Sequence, residues 1–467
     1  MTLEVDPGSF RDPSGFVFTK QGQIFRQVNH SYRDHYLFLE EAGLFHEFQE
    51  RGWLIKHHEV AAEHGASEDA WIVIQPERLP FISYPDEWCF SQLKDAALLT
   101  LDMQRRALEL GASLKDASAF NVQFTTQGPI FIDSLSFEKY KEGAPWIAYG
   151  QFCRHFLAPL ALAADCDVRL MRLQGQYIDG IPLDIASSLL PWRTKFRPGL
   201  AMHLHLHANS IKKNADSRSK ALGTRPATPH LPKKRLFNLI DHLRDTVSGL
   251  NWAPGGSEWF DYYSSNNNYG EEGLEEKERL LRRFLGKGKA QVLWDIGGNT
   301  GRFSRIAASC GYEVLCWDID PGCVEAAYRI QTKESTLPKV VPLLVDLTQP
   351  TAARGWQLTE RRSFIERADV DCIMALGLIH HLVITNNVPL PKFFAFLAAL
   401  GQTVIVEFIP KSDSQVQKLL ANRGTDPFGD YTLEGFTAAA AELFDIVQQS
   451  LIPKSERSLF RLRRKSI

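Results

Sequence analysis

Apolar residues follow two different rhythms along this chain. In the second half, short apolar runs alternate with stretches that are apolar at helical spacing, and each run ends on a carboxylate or histidine. Val292 to Trp294 closes on Asp295, Tyr312 to Trp317 on Asp318, and Val340 to Val345 on Asp346. Val370 to Leu376 leads to His380-His381-Leu382, and Thr403 to Val406 closes on Glu407. Such runs predict buried strands. Between the first two, Phe303, Ile306 and Ala307 recur at helical spacing until Gly311. The chain after Glu407 predicts two helices and a closing hairpin.

The first half reads differently. Gly15 to Asn29 predicts a hairpin turning at Lys20-Gln21-Gly22, Tyr36 to Gly52 one helix, and Trp53 to Val60 and Trp71 to Pro76 further strands. Cys89 to Leu110 predicts a long amphipathic helix. Val122 to Phe124 and Pro129 to Ile132 form a short hairpin closed by Asp133, and Trp146 to Ala164 and Pro182 to Leu190 are helical and apolar. This half therefore has its own core. Residues 208–235 are polar, basic and proline-containing, a connector or exposed loop whose cations could touch an anionic partner. The expected organisation is an α+β domain over 1–207, a basic linker over 208–235 and an α/β domain over 236–467.

Composition changes this picture little. The chain has 467 residues, is 44% hydrophobic and 23% charged, and carries a net charge of -2, so nothing global points to nucleic acid or an anionic membrane. No apolar run approaches the eighteen or so residues that span a bilayer, and the first residues lack a basic segment before an apolar core. A cytoplasmic protein is expected. The seven cysteines are scattered without a C-x-x-C pair, which predicts reduced buried thiols rather than a zinc site. His203, His205 and His207 would share a face on a strand and could bind a metal; on a helix only His203 and His207 align. A packed or solvated histidine row is the plainer expectation.

Candidate chemistry concentrates at residues 291–330. Asp295-Ile-Gly-Gly-Asn-Thr-Gly301 joins strand to helix, and Asp318 follows Gly297 by about the twenty residues that place a carboxylate on a ribose. Glycines let backbone approach a ligand closely, and the helix starting near Gly301 presents free N–H groups. Dinucleotide sites prefer G-x-G-x-x-G. Here an acid precedes the first glycine by two residues, which repels phosphate and suits a cation.

The turn resembles motif I of the class I S-adenosylmethionine (SAM) methyltransferases, and the further runs follow in that family's order. The resemblance implies a Rossmann-like doubly wound domain with SAM as cofactor. It assigns Asp295 and the turn Gly297, Gly298, Asn299, Thr300 and Gly301 to the methionine end. Asp318 takes the ribose, with Asp320 as a substitute, and Asp346 the adenine amino group, or else Asp346 merely caps a helix. Leu376 and Tyr269 join the cofactor set; Tyr262, Tyr263 and Tyr269 either close on the cofactor or pin a helix to the core. His380 or His381 is the candidate base, the other reading being structural, and Glu407 could assist, bind substrate or bond to neighbouring backbone. The Asp426–Asp430 turn contacts substrate or is plain surface.

In the first half, Asp116 and Asn121 stand as D-x-x-x-x-N, with Asp133 after the next hairpin. This spacing resembles the catalytic and metal-binding loops of protein-kinase-like phosphotransferases, where the first Asp is the base and the other two residues hold magnesium. The sequence departs from that pattern. No glycine-rich phosphate loop precedes the helix, Arg26 sits where a strand lysine would be sought, Leu114-Lys115 replaces His-Arg, and Ser134-Leu135 replaces Phe-Gly. A kinase-like lobe that binds the acceptor or scaffolds, an active phosphotransferase, and a turn-rich hairpin capped by its own side chains all remain open.

With NNVPL at 386–390 and DLTQP at 346–350, the chain resembles a bacterial group of two-part methyltransferases that includes rhizobial host-specificity nodulation proteins. The expectation is an α/β methyltransferase domain preceded by an α+β domain of kinase-like outline. It would act on an unidentified acceptor, a small molecule or glycan being favoured, with phosphotransfer or non-catalytic SAM binding as alternatives.

Overall fold

The computed structural model describes residues 3–210, 230–255, 270–334, 336–423 and 426–466. It divides into two compact units, Met1–Trp252 with Ala353–Arg361, and Ala253–Ala352 with Arg362–Ile467.

The first unit opens on a five-stranded antiparallel sheet of β1 (Leu3–Val5), β2 (Gly15–Lys20), β3 (Gln23–Asn29), β4 (His57–Val60) and β5 (Ala70–Pro76), in the order β1-β2-β3-β5-β4. β2 and β3 turn through Gln21 (φ 54°) and Gly22 (φ 76°), both left-handed, which matches the twist of a two-residue hairpin. Two shorter ladders follow, β6 (Ala112–Leu114) with β9 (Phe137–Lys139) and β7 (Val122–Thr125) with β8 (Gly128–Phe131). The rest is helical, led by Phe90–Glu109, whose inward stripe includes Leu93, Ala97, Leu101 and Leu108.

Three expectations for this half need correction. The helix expected over 36–52 is two helices, Arg33–Glu41 and Leu44–Glu50, because Gly43 adopts φ 71° and its N–H bonds to Glu40 O. The strand expected from Trp53 begins only at His57. Trp53 O and Ile55 N–H are instead bonded to Phe131 of the second hairpin. The boundary expected at 236 lies at 252, because the helix Lys233–Ser248 packs Leu236, Ile240, Leu243 and Val247 into the first unit. Arg244 pairs with Asp102 at 2.6 Å and Asp241 with Arg105 at 3.0 Å, while Lys94 Nζ donates to the carbonyls of Ser248, the last helical residue, and of Leu250. The expected linker lies mostly outside the described residues.

The second unit is a seven-stranded sheet: β10 (Val292–Ile296), β11 (Glu313–Asp318), β12 (Val341–Leu344), β13 (Val370–Ala375), β14 (Gly401–Phe408), β15 (Phe444–Leu451) and β16 (Ser458–Arg464). The order is β12-β11-β10-β13-β14-β16-β15; β16 alone runs antiparallel to the rest, between β14 and β15. Chain direction across the sheet therefore reverses between β10 and β13, as in a doubly wound fold, and a crevice opens there at the carboxyl ends of the strands. Burial along most of β10 to β13 explains their apolar runs, with the charged Glu313 and Asp371 exposed near the strand starts. Trp294, Trp317 and Phe364 form one ring cluster, each centroid pair within 5.3 Å. Among the described residues no helix is long and apolar enough to cross a membrane.

Candidate active site

Four successive strand ends converge on one cavity of about 600 Å³. Asp295, Gly297, Gly298 and Asn299 at the end of β10, Asp318 and Ile319 at the end of β11, Val345 to Thr348 after β12, and Leu376 to Leu378 with His380 to Leu382 after β13 line it. Its remaining wall includes Lys277, Phe303, Asn386, Gln415 and Lys418. The crevice lies where the sheet order demands one.

The turn shows why its glycines are needed. Gly297 sits at φ 79° and Gly301 at φ 78°, and a Cβ on Gly298 would stand 2.6 Å from Cys316 Sγ and 2.9 Å from Asp295 Oδ2. The N–H groups of Gly297 and Gly298 donate to Trp317 O at 2.8 and 2.9 Å, locking the turn to β11. Asn299, left-handed at φ 53°, donates its N–H to Asp318 Oδ2 at 2.8 Å, while its own Oδ1 accepts from Thr300 N. Thr300 and Gly301, expected among the cofactor contacts, do not line the cavity. They shape the turn and start the helix Arg302–Ser309.

The carboxylates differ in what holds them. Asp295 is buried and accepts from Ser304 Oγ at 2.5 Å; burial pushes its carboxyl up to about 7, against the pull of that bond. Burial likewise raises Asp318 to about 6, although backbone N–H groups of Asp320 and Asn299 oppose the shift. Asp320 does not replace it, because its Oδ1 caps the helix Pro321–Lys333 through Gly322 N and Cys323 N. Asp346 lines the cavity, and its Oδ1 accepts from Thr348 N and Oγ1 within a turn that no helix follows, so it is not a helix cap.

His380 and His381 stand with ring centroids 4.0 Å apart. Burial drives His380 well below the ordinary imidazole range and His381 to about 4, so both rings are neutral near pH 7. His380 Nδ1 is buried without a hydrogen-bond partner, a cost that an incoming donor or acceptor would remove.

Glu407 corrects another expectation. It is fully buried and absent from the cavity wall, and its Oε2 accepts from Lys277 Nζ at 2.8 Å, with Arg457 3.8 Å from Oε1 and Asp413 closing the network at 2.8 Å. Lys277, which the sequence reading did not single out, does line the cavity and lies 4.5 Å over the Phe303 ring. Burial pulls its ammonium below the usual lysine range, and Glu407 opposes this. A signal existed. Lys277 falls on the stripe Leu274, Leu281, Phe284, where an apolar residue belongs. Tyr262, Tyr263 and Tyr269 lie outside the described residues, whereas Asp426 pairs with Lys411 and neither lines the cavity.

In the first unit, Asp116 Oδ1 accepts from Gln151 Nε2 at 2.7 Å and Ser118 N at 3.0 Å, Asn121 Nδ2 donates to Ser136 Oγ, and burial with nearby Asp133 raises the Asp116 carboxyl. Asp133 Oδ1 is paired with Arg26 of β3 at 2.8 Å. A guanidinium thus stands where the resemblance to phosphotransferases would put a metal ion. Among the described residues no cluster of His, Cys, Asp or Glu could hold a metal. His203, His205 and His207 are helical. His203 bonds to Tyr149 and His242, and His205 to Ser187 and Thr194.

No family model matches the chain. Nodulation protein NoeA of Rhizobium meliloti (strain 1021) is 34% identical over 462 residues, covering 98% of this chain and 95% of NoeA. Among solved structures, the magnesium protoporphyrin IX methyltransferase ChlM of Synechocystis PCC 6803 is 15% identical over 44% of this chain and 98% of its own, with a TM-score of 0.30. The N-methyltransferase NodS of Bradyrhizobium japonicum WM9 is 13% identical over 42% and 99%, at 0.31. The bifunctional kinase-methyltransferase WbdD is 15% identical over 45% and 43%, at 0.30.

Proposed function

We propose that this chain, which belongs to the family of the nodulation protein NoeA, transfers a methyl group from SAM to an acceptor held in the crevice of its second unit. The observation that carries this is the cavity at the β10–β13 reversal, with an acid-led glycine turn on one side and Asp318 and Asp346 ending the next two strands.

The residues fit the cofactor. Asp295 is a buried carboxyl that a cation would help to ionise, so it suits the amino group of SAM. A side chain on Gly298 would collide with Cys316 Sγ and the Asp295 carboxyl, so the glycine keeps that carboxyl in place. Asp318 presents its remaining lone pairs to vicinal hydroxyls, and Ile319, Val345 and Leu347 offer apolar faces to a purine. When bound, SAM supplies an electrophilic methyl on a sulfonium.

The chain's own contribution is to hold the acceptor in line with that methyl and to keep water out. His380 is the group we assign to the acceptor's proton. Its Nδ1 is buried, unpartnered and neutral, so it can accept a hydrogen bond from a hydroxyl or amine as the new bond forms. Lys277 charges the wall beside Asp295, and Glu407 positions Lys277 without touching the reactants. The phosphotransfer alternative finds Asp133 already neutralised by Arg26.

Incubating the protein with methyl-labelled SAM and cell extract, then separating protein, nucleic acid, lipid, glycan and small molecules, tests the reading. Label should enter one fraction and disappear with Asp295→Ala. Label in none, with SAM still bound, would leave the non-catalytic SAM-binding alternative.

A further inference from the structure

The net charge of -2 conceals a segregated face on the first unit. From Ile185 to Ser210 the sequence has no Asp or Glu, yet carries Arg193, Lys195 and Arg197. The same stretch turns large apolar side chains outward. Trp192 is 73% exposed, Phe196 75% and Leu206 63%, with Leu189 and Met202 also among the exposed apolar residues. Trp192 and Phe196 stand edge to face at 5.6 Å, leaving both rings to solvent. Scattered exposed apolar residues are ordinary, but a concentration of this kind marks an interaction surface.

The platform beneath is firm. Thr194, Leu200, His203, Leu204 and His205 are buried, and the His205 ring bridges Ser187 Oγ at 2.8 Å and Thr194 Oγ1 at 2.9 Å, tying the helix Leu183–Leu189 to the turn Trp192–Phe196. Outward exposure of the rings is therefore the fold's choice rather than fraying. Arg193 and Arg197 both reach Asp165, whose side chain is only 11% exposed, so its charge is covered by the two guanidinium groups. Lys195 forms no ion pair among the described residues.

We propose that this face docks peripherally on an anionic lipid bilayer. Aromatic rings that enter the headgroup region, flanked by Arg193, Lys195 and Arg197, which outnumber the nearby carboxylates Asp165 and Asp184, match a surface of lipid phosphates over acyl chains. No span is required, and a reaction at the second unit does not depend on it.

Flotation of the full-length protein with vesicles tests the proposal. With phosphatidylcholine containing phosphatidylglycerol at low salt the protein floats, and with phosphatidylcholine alone it does not. Trp192→Ser/Phe196→Ser lowers partition by about tenfold or more while thermal unfolding is unchanged, since both rings are already exposed. Lys195→Glu and added salt each weaken it. Three results would overturn the proposal: no flotation with anionic vesicles, equal flotation of the double variant, or self-association that the double variant abolishes without any vesicle binding. The last would make the face a contact for a second copy.

Discussion

Asp133 in the first unit and Asp295 in the second each follow a short apolar strand, and each is buried or nearly so. Their fates differ. Asp133 meets an internal cation, Arg26, at 2.8 Å. Asp295 has a serine hydroxyl as its bonded partner, carries a carboxyl raised to about 7, and faces a cavity. A buried carboxylate ion-paired within the fold is structural, whereas one bonded to a hydroxyl and facing a cavity, with Lys277 already paired to Glu407, is prepared for a cationic ligand. Motif spacing alone does not distinguish the two.

The largest effect should come from Asp295→Ala, which removes the group that receives the ligand's positive charge. SAM affinity should fall about a thousandfold by calorimetry, roughly the cost of breaking a buried charge pair. Asp133→Ala should leave SAM affinity unchanged. A loss of SAM binding there, or none at Asp295, would break the comparison. Next, His380→Ala should lower kcat about a hundredfold with little change in SAM affinity. Because both imidazoles are neutral down to well below pH 6, the kcat profile between pH 6 and 8 should show no histidine titration.

Arg26→Ala should destabilise the protein by about 3 kcal/mol in denaturant unfolding, because it leaves Asp133 unpaired at a site where both side chains are more than four-fifths buried. SAM binding by the folded variant should be normal. If magnesium-dependent ATP binding appeared in the wild type and vanished with Asp133→Ala, the first unit would be an active site instead.

The smallest effect is on pH. Asp295 ionised binds a cation better than Asp295 protonated, so SAM affinity should rise about tenfold between pH 6 and 8. Stability without ligand runs the other way. A carboxyl raised in the folded state favours folding most below its unfolded value of about 4, and that contribution is lost as pH rises through about 6 for Asp318 and about 7 for Asp295. The melting temperature should fall across that window, and SAM should restore part of it.

Legibility followed the range of the forces involved. The acid-led turn and the strand-ending carboxylates were readable because backbone conformation at Gly297 and Gly301 and burial on both faces of parallel strands are local demands. The β2–β3 hairpin was readable for the same reason. Glu407 misled because its place at a strand end says nothing of the Lys277 and Arg457 side chains that meet it across 130 and 50 residues. Asp320 lost to Asp318 through a cap, a competition between two acids two residues apart that only geometry decides. The helix Lys233–Ser248 showed its apolar stripe plainly but not which core would receive it.

Calorimetric titration of the intact protein with SAM and S-adenosylhomocysteine at pH 8 tests the central claim most directly. One molecule of either should bind per chain, and Asp295→Ala should bind SAM about a thousandfold more weakly. Binding of NAD or ATP at the same cavity with no heat from SAM would contradict the account.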